Sequence, residues 1–284
     1  MASSFDVPRE LMPLEKLFRE QCHASGKDPV SIFSDFLTYV IFGLNPMAKP
    51  DPYWNYKQKD NERFYNMAME YFSLMDKMLQ VREWYDAFGD FFMAVISPSS
   101  QQYRGQFFTP HTVCDFMAGI LMGEKGETCD TPTIRCGGFG KRVVVSDCAA
   151  GSSRLLLAAH AKCCRSEYPN RYFIAEDIDP ICCKMSAINL CMHGCFGEVV
   201  CHDTLCHPDE VNAGYKINEM LYPIPACPSV RTTDDPSAFI CTQAALSWKR
   251  RAAEVPQEVI EKEMKSSKKP VKENIPIQLE LNFL

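Results

Sequence analysis

With 284 residues, of which 46% are hydrophobic and 23% charged, the chain has the proportions of a globular protein of one large or two modest domains, which excludes a disordered or fibrous one. A net charge of −6 without a long basic stripe excludes general adhesion to nucleic acid, so any DNA contact is expected to be local. No apolar run reaches the length of a bilayer, and MASSFDVPRELMPLEK has neither the charged flank nor the apolar stretch of a signal peptide, so a cytoplasmic location is expected.

Residues 1 to about 100 place apolar side chains at helical spacing in LEKLFREQ, FSDFLTYVIFGL, ERFYNMAMEYFSLMDKMLQV and EWYDAFGDFFMAVI, with almost no strand signal. Pro46, Pro50 and Pro52 divide this stretch into two helical blocks. From about 132 short apolar runs alternate with helical segments: KRVVVSD, SRLLLAAHAKCC, RYFIAED, PICCKMSAINLCMHG and GEVVCHD. Strand, helix, strand, helix, strand in that order predicts a parallel sheet with right-handed crossovers. Between 207 and 240 regularity fades among the prolines at 208, 223, 225, 228 and 236. AALSWKRRAAEVPQEVIEKEM then predicts a helix, KSSKKPVKEN a polar, Lys-rich linker and IPIQLELNFL an apolar alternation. The division expected is a helical N-terminal domain over 1–100, an α/β domain over 101–250, and a helix, linker and tail over 251–284, without internal repeats.

The 15 cysteines are odd in number and lack an export signal, so most are expected as free thiols. Their densest group, Cys191, Cys195, Cys201, His202, Cys206 and His207, offers zinc-type ligands but not the paired CxxC spacing. It reads as buried small hydrophobes, and no metal is expected.

The stretch VVVSDCAAGSSRLLLAAH, residues 143–160, reads as a buried strand, a tight turn of small residues and an apolar helix. In an open α/β sheet a ligand sits beyond the carboxyl ends of the strands, where Asp147 to Ser153 would lie. The single glycine of DCAAGSS does not give the spacing that a pyrophosphate requires. S-adenosylmethionine (SAM) carries no phosphate; it needs small residues for close approach, an acid for its ammonium and another for its ribose hydroxyls. Glu176 and Asp203 close the second and third strands. Each alone reads as a helix cap or solvated carboxylate, but here three acids end consecutive strands.

With these residues in order, the stretch from about 100 to 206 resembles the adenine-specific N6 DNA methyltransferases, particularly the modification subunits of type I restriction systems. The likeness rests on RGQFFTPHTVCDFM, similar to that family's GxFxTP segment, then VVVSDCAAGSSRLL, IAEDIDP with the following NLCMHG, and DTL. It implies a SAM-dependent methyltransferase-like (Rossmann-like), doubly wound α/β sheet behind an all-helical N-terminal domain, with SAM as cofactor and DNA as partner. The cofactor residues it implies are Gln106, Phe107, Thr109 and Pro110, then Asp147, Ala149 and Gly151, then Glu176 and Ile178, and finally Asp203, Thr204 and Leu205. Thr109 and Pro110 would touch the methionyl group, Asp147 and Gly151 frame the cofactor, Glu176 bind ribose and Asp203 bind adenine. Read without the family, GQFFTP is a helix start with Thr109 as cap and Pro110 at the first helical position.

The same family holds the adenine amine with Asp, Asn or Ser followed by Pro-Pro and an aromatic, after a fourth strand, and stacks a flipped base on the aromatic. No such tetrapeptide follows Asp203; the nearest fragments are Asn218 in INEM and the prolines of YPIP. NPM at 45–47 and DPYW at 51–54 lack the second proline and read as turns. The expectations are therefore a degenerate enzyme, a site completed by a partner subunit, or a catalytically inactive SAM- and/or DNA-binding module or accessory subunit of a DNA-modification system. The ending QLELNFL resembles the peptides that bind the bacterial replication sliding clamp, through Gln278, Leu279, Leu281 and Phe283. Its alternative is an edge strand packing Ile277, Leu279, Leu281 and Phe283 on the protein's own sheet.

Overall fold

A computed structural model describes residues 7–45, 47–48, 54–96, 108–122, 133–135, 141–163, 171–219 and 228–254. By contact, the chain divides into two compact units, 1–243 and 244–284. Gln106 and Phe107, the fragment YPIP, the Lys-rich linker and the apolar tail lie outside the described residues.

Four helices open the chain: α1 (Met12–Ser25), α2 (Pro29–Leu44), α3 (Gln58–Val81) and α4 (Ala87–Val95). Each buries one stripe at the 3.6-residue period, as with Phe64, Met67, Ala68, Tyr71, Leu74 and Met75 of α3. Their ends obey local rules. Asp28 caps α2 by accepting from the Ser31 amide, with Pro29 at the first position, and Gly26 closes α1 at φ 67°. The stripes meet in an aromatic cluster in which Tyr71 stacks on Phe88, with ring centroids 4.1 Å apart, and Phe33 lies against Phe88, Phe91 and Phe92.

After α5 (His111–Met122) comes a six-stranded sheet in the order β1 (Thr133–Arg135), β2 (Lys141–Asp147), β3 (Arg171–Asp177), β4 (Gly197–Cys201), β5 (Ala213–Ile217) and β6 (Val230–Thr233). β2, β3 and β4 are parallel, connected by α6 (Arg154–Lys162) and α7 (Pro180–Met192) as the sequence pattern predicts. β1, β5 and β6 join antiparallel at the two edges. The reversal of strand order that defines a doubly wound sheet is thus not formed among the described residues, because the neighbour of β2 is an antiparallel hairpin partner. A final helix, α8 (Ile240–Glu254), follows.

Two parallel steps in one direction place α6 and α7 on the same face of the sheet. There α7 touches β3, β4 and β5 on one side and α2 and α4 on the other. Being enclosed all round, it is built from small and apolar residues, which accounts for buried Cys183 and Cys191 beside Ala187 and Ser186. A single apolar core consequently runs from α1 to β6. The opposite face of the sheet carries a smaller cluster of Tyr172 and Ile174 with Val144, Phe196, Ile240 and Cys241. No helix among the described residues is long and apolar enough to cross a membrane.

Candidate functional site

The loop from β2 into α6 makes two left-handed turns, at Gly151 with φ 56° and at Ser153 with φ 70°. A Cβ at Gly151 would stand 3.1 Å from the Phe108 ring, which lies over it. Ser153 has no such freedom, and its strained backbone is held by its amide donating to the Ala150 carbonyl at 2.7 Å and by a bond between its hydroxyl and that of Ser186. Two left-handed positions therefore shape a turn in which the sequence shows one glycine.

Around this turn the structure brings Thr109, Asp147, Ala149, Gly151 and Asp177 together. Thr109 and Ala149 line a cleft of about 60 Å³ with Phe108, Asp147, Gly151 and Arg154. Pro110 starts α5 by accepting from the Val113 and Cys114 amides. The Ala149 amide donates to Asp147 Oδ1 at 3.1 Å, and the Gly151 amide donates to Asp177 Oδ2 at 2.8 Å. Burial raises the pKa of both carboxyls above the usual aspartate value, against the amides that bond them; each also feels a neighbouring carboxylate, Asp177 for Asp147 and Asp179 for Asp177. Two carboxylates in this state gain from any ligand that brings a cation or hydroxyl donors.

Glu176 is not part of this group. Side chains alternate along β3, and Glu176 shares the face of Tyr172 and Ile174, where its Oε1 meets His202 Nε2 at 2.8 Å. Its neighbour Asp177 faces the turn instead. Both faces of β3 are buried, so the run RYFIAED lacks the apolar and polar alternation that tells its faces apart. Asp177 also accepts from the Asp179 amide at 2.9 Å, and Asp179 caps α7; the acid two residues before an Asp-Pro helix start was the available signal.

At the end of β4, Asp203 Oδ1 accepts from the Leu205 and Cys206 amides at 3.0 and 2.9 Å, and the Cys206 bond foremost lowers its pKa. Thr204 donates to the Cys148 carbonyl at 3.2 Å, tying this turn to the β2 turn. Ile178 and Leu205 project from the strand ends, 66% and 92% exposed.

A residue that sequence reading did not single out welds the turn to the helices. Asp86, fully buried at the start of α4, accepts from the Gly89 amide at 2.7 Å, Ser152 Oγ at 2.5 Å, Asn189 Nδ2 at 2.7 Å and Arg154 Nε at 2.6 Å. Arg154 also reaches Asp90 at 2.6 Å and lies over the Phe108 ring. Burial works against its charge, but Asp86 and Asp90 outweigh that and raise its pKa.

Asn218 is not available as an amine clamp. β5 runs antiparallel to β4, so Asn218 lies at the opposite end of the sheet from Cys201, five residue steps or roughly 16 Å along the strand. Its Nδ2 donates to the Cys191 and Cys195 carbonyls at 3.0 and 2.8 Å, and its Oδ1 accepts from the Ser229 amide at 2.9 Å. A larger concavity, about 610 Å³ among Lys16, Arg19, Glu20, His23 and Arg63, belongs to α1 and α3, which give nothing to the strand ends. There Arg19 and Arg63 are already paired with Glu15 and Asp60.

The family model of the N-6 DNA methylases matches residues 83–220, from just before α4 to just after β5. This is the family that the run from GQFFTP to DTL resembles, and the match bears the resemblance out. No curated protein and no solved structure matches the chain.

Proposed function

We propose that this methylase-like region binds SAM at the ends of β2, β3 and β4, and that the chain alone does not hold the adenine amine. The pair Asp147 and Asp177 beside left-handed Gly151 carries the reading. The ammonium and ribose hydroxyls of SAM supply a cation and further donors to these half-buried carboxylates, and no phosphate is needed in a turn with one glycine. Asp177, rather than Glu176, is the proposed ribose acceptor. The small cleft under Phe108 and Thr109 suits the methionyl end, and Ile178 and Leu205 are apolar side chains that an adenine ring would cover. Asp203 stands beside them as the proposed adenine contact. Bound SAM would supply an electrophilic methyl group on sulfonium. The residues of this chain orient and cover it; the acceptors for the two amine hydrogens are not found among the described residues, and DNA methylation requires them.

Calorimetric titration of the full chain with SAM tests this. Binding is expected in the wild type, with a loss of about 10- to 100-fold in Asp147→Asn and in Asp177→Asn, the worth of one charge-assisted hydrogen bond, and little change in Glu176→Gln. Labelled SAM is expected to leave mixed-sequence DNA unmethylated. No binding by a folded wild type sinks the cofactor reading, and methylation by the isolated chain sinks the incompleteness.

A second reading, a subunit completed by a partner protein of a modification system, is favoured by α5. Its Val113, Phe116, Met117, Ile120 and Leu121 form one helical stripe and are all 38% exposed or more. Methyl transfer restored by such a partner, and lost with Phe116→Asp, would support it; restoration indifferent to Phe116→Asp would remove the stripe from the account. For the proposed clamp peptide, deletion of residues 278–284 should abolish clamp binding measured by surface plasmon resonance.

A further inference from the structure

Glu176, displaced from the cofactor turn, stands in a different constellation. It is the penultimate residue of β3, His202 follows β4 and Cys241 is the second residue of α8, and one ligand atom of each lies within 4.8 Å of the other two. Three ligands from three elements, nitrogen, oxygen and sulfur, converge on the sheet face away from α7.

The hydrogen bonds of His202 set its chemistry. Nδ1 lies 3.1 Å from the Glu210 carbonyl, which can only accept, so Nδ1 carries a proton. Nε2, 2.8 Å from Glu176 Oε1, then shares the second proton of the pair with that carboxylate, and a metal would displace this proton. An imidazole anchored through one N–H to a backbone carbonyl, with its other nitrogen turned toward a carboxylate and a thiol, has the outer-shell arrangement of a metal-ligating histidine. The same geometry speaks against a cysteine nucleophile. Both imidazole nitrogens are committed, so none is left to take the proton of Cys241, and burial holds that thiol well above its ordinary pKa.

We propose that Glu176, His202 and Cys241 bind a zinc-class divalent cation that pins the start of α8 to the ends of β3 and β4. A carboxylate, a thiolate and a neutral imidazole balance the charge of a divalent ion. One oxygen among the three ligands is too few for calcium or magnesium, whereas zinc accepts nitrogen, sulfur and oxygen together. Bonds of about 2.0–2.3 Å space the ligand atoms of a tetrahedral zinc by roughly 3.5 Å, within the span that the triad sets. The fourth position falls to water. Tyr172, Ile174, Val144 and Phe196 supply an apolar surround. Binding releases the thiol proton and the proton shared by His202 and Glu176 to the buffer.

Cobalt(II) titration of the full, chelator-stripped chain reads the site directly. One equivalent is expected to produce a thiolate-to-cobalt charge-transfer band that zinc removes. Cys241→Ser should abolish the band, and His202→Ala and Glu176→Gln should weaken binding by more than the roughly tenfold that an outer-shell change costs. No binding by folded wild type overturns the proposal, as does a band that survives Cys241→Ser, since the other cysteines would then hold the metal. Should the variants not fold, X-ray absorption of the zinc-loaded wild type decides: one sulfur with nitrogen and oxygen neighbours supports the site, and several sulfurs overturn it. None of these readouts uses SAM, so the cofactor reading and the metal site stand or fall separately.

Discussion

Asp86 and Arg154 form a buried ion pair in which each partner also has hydrogen bonds to spare for its neighbours. Such pairs are expensive to halve, because the remaining charge is left in a dry site. Arg154→Met is therefore expected to lower the unfolding free energy by about 3–5 kcal/mol in a urea titration; a loss under about 1 kcal/mol would mean that water reaches Asp86. A pH dependence follows from a different residue. His160 is buried edge-on to Phe173 at 5.4 Å, and burial foremost lowers its pKa to about 4. A base whose pKa falls on folding contributes stability that is fully present above its unfolded value near 6.5 and is lost as pH drops toward 4. In His202 burial opposes the charge, but the bond and charge of Glu176, with the Glu210 carbonyl, outweigh it and raise the pKa. His202 therefore works in the opposite sense, with stability present below 6.5 and lost as pH rises through its folded value. His160→Phe should thus lose less stability than wild type between pH 7 and pH 4.5, measured by thermal melts across that range; equal losses would show that His160 is not the group being titrated.

At the scale of elements, the antiparallel pair β5 and β6 is what the sequence concealed. AGYKI and VRTT are short, and AGYKI places a charge, Lys216, on a strand that is buried along almost its whole length. The charge at Lys216 has a use: its Nζ donates to Glu198 Oε2 and Tyr172 Oη, both at 2.9 Å, within the sheet. Glu198, fully buried, also accepts from the Ile240 and Cys241 amides at 2.7 and 3.1 Å, capping the start of α8. One carboxylate therefore attaches both the β5–β6 extension and the α8 start to β4. Glu198→Ala should cost about 3–5 kcal/mol, and amide exchange should rise first in β5, β6 and at Ile240 and Cys241; uniform loss of protection across β2 and β3 would contradict that attachment. The four N-terminal helices and the three parallel strands were legible because long apolar periodicities and a strand-helix alternation announce them. The choice between Glu176 and Asp177 was not, since the two are adjacent acids on a strand buried on both faces, and only its packing against α7 decides which one turns to Gly151.

For the whole molecule, composition divides the chain near residue 100, whereas the core and the Asp86 cluster run across that point. Ligand binding separates the consequences. A ligand that binds only the folded state at about 100 times its Kd adds roughly 2.7 kcal/mol to every opening that destroys its site. If residues 1–100 open by themselves, SAM will slow amide exchange in β2, β3 and α6 and leave α2 and α3 as they were. If they open together with the sheet, protection will rise in α2 and α3 by the same amount, because Asp86 cannot leave Ser152, Arg154 and Asn189 without dismantling the turn. We expect the second outcome, and expect Arg154→Met to convert it to the first: with that bond gone, the helices should lose their share of the ligand's protection while the strands keep theirs. Protection confined to the strands already in the wild type would restore the division at residue 100 and reduce the Asp86 cluster to a contact between two independently folded parts.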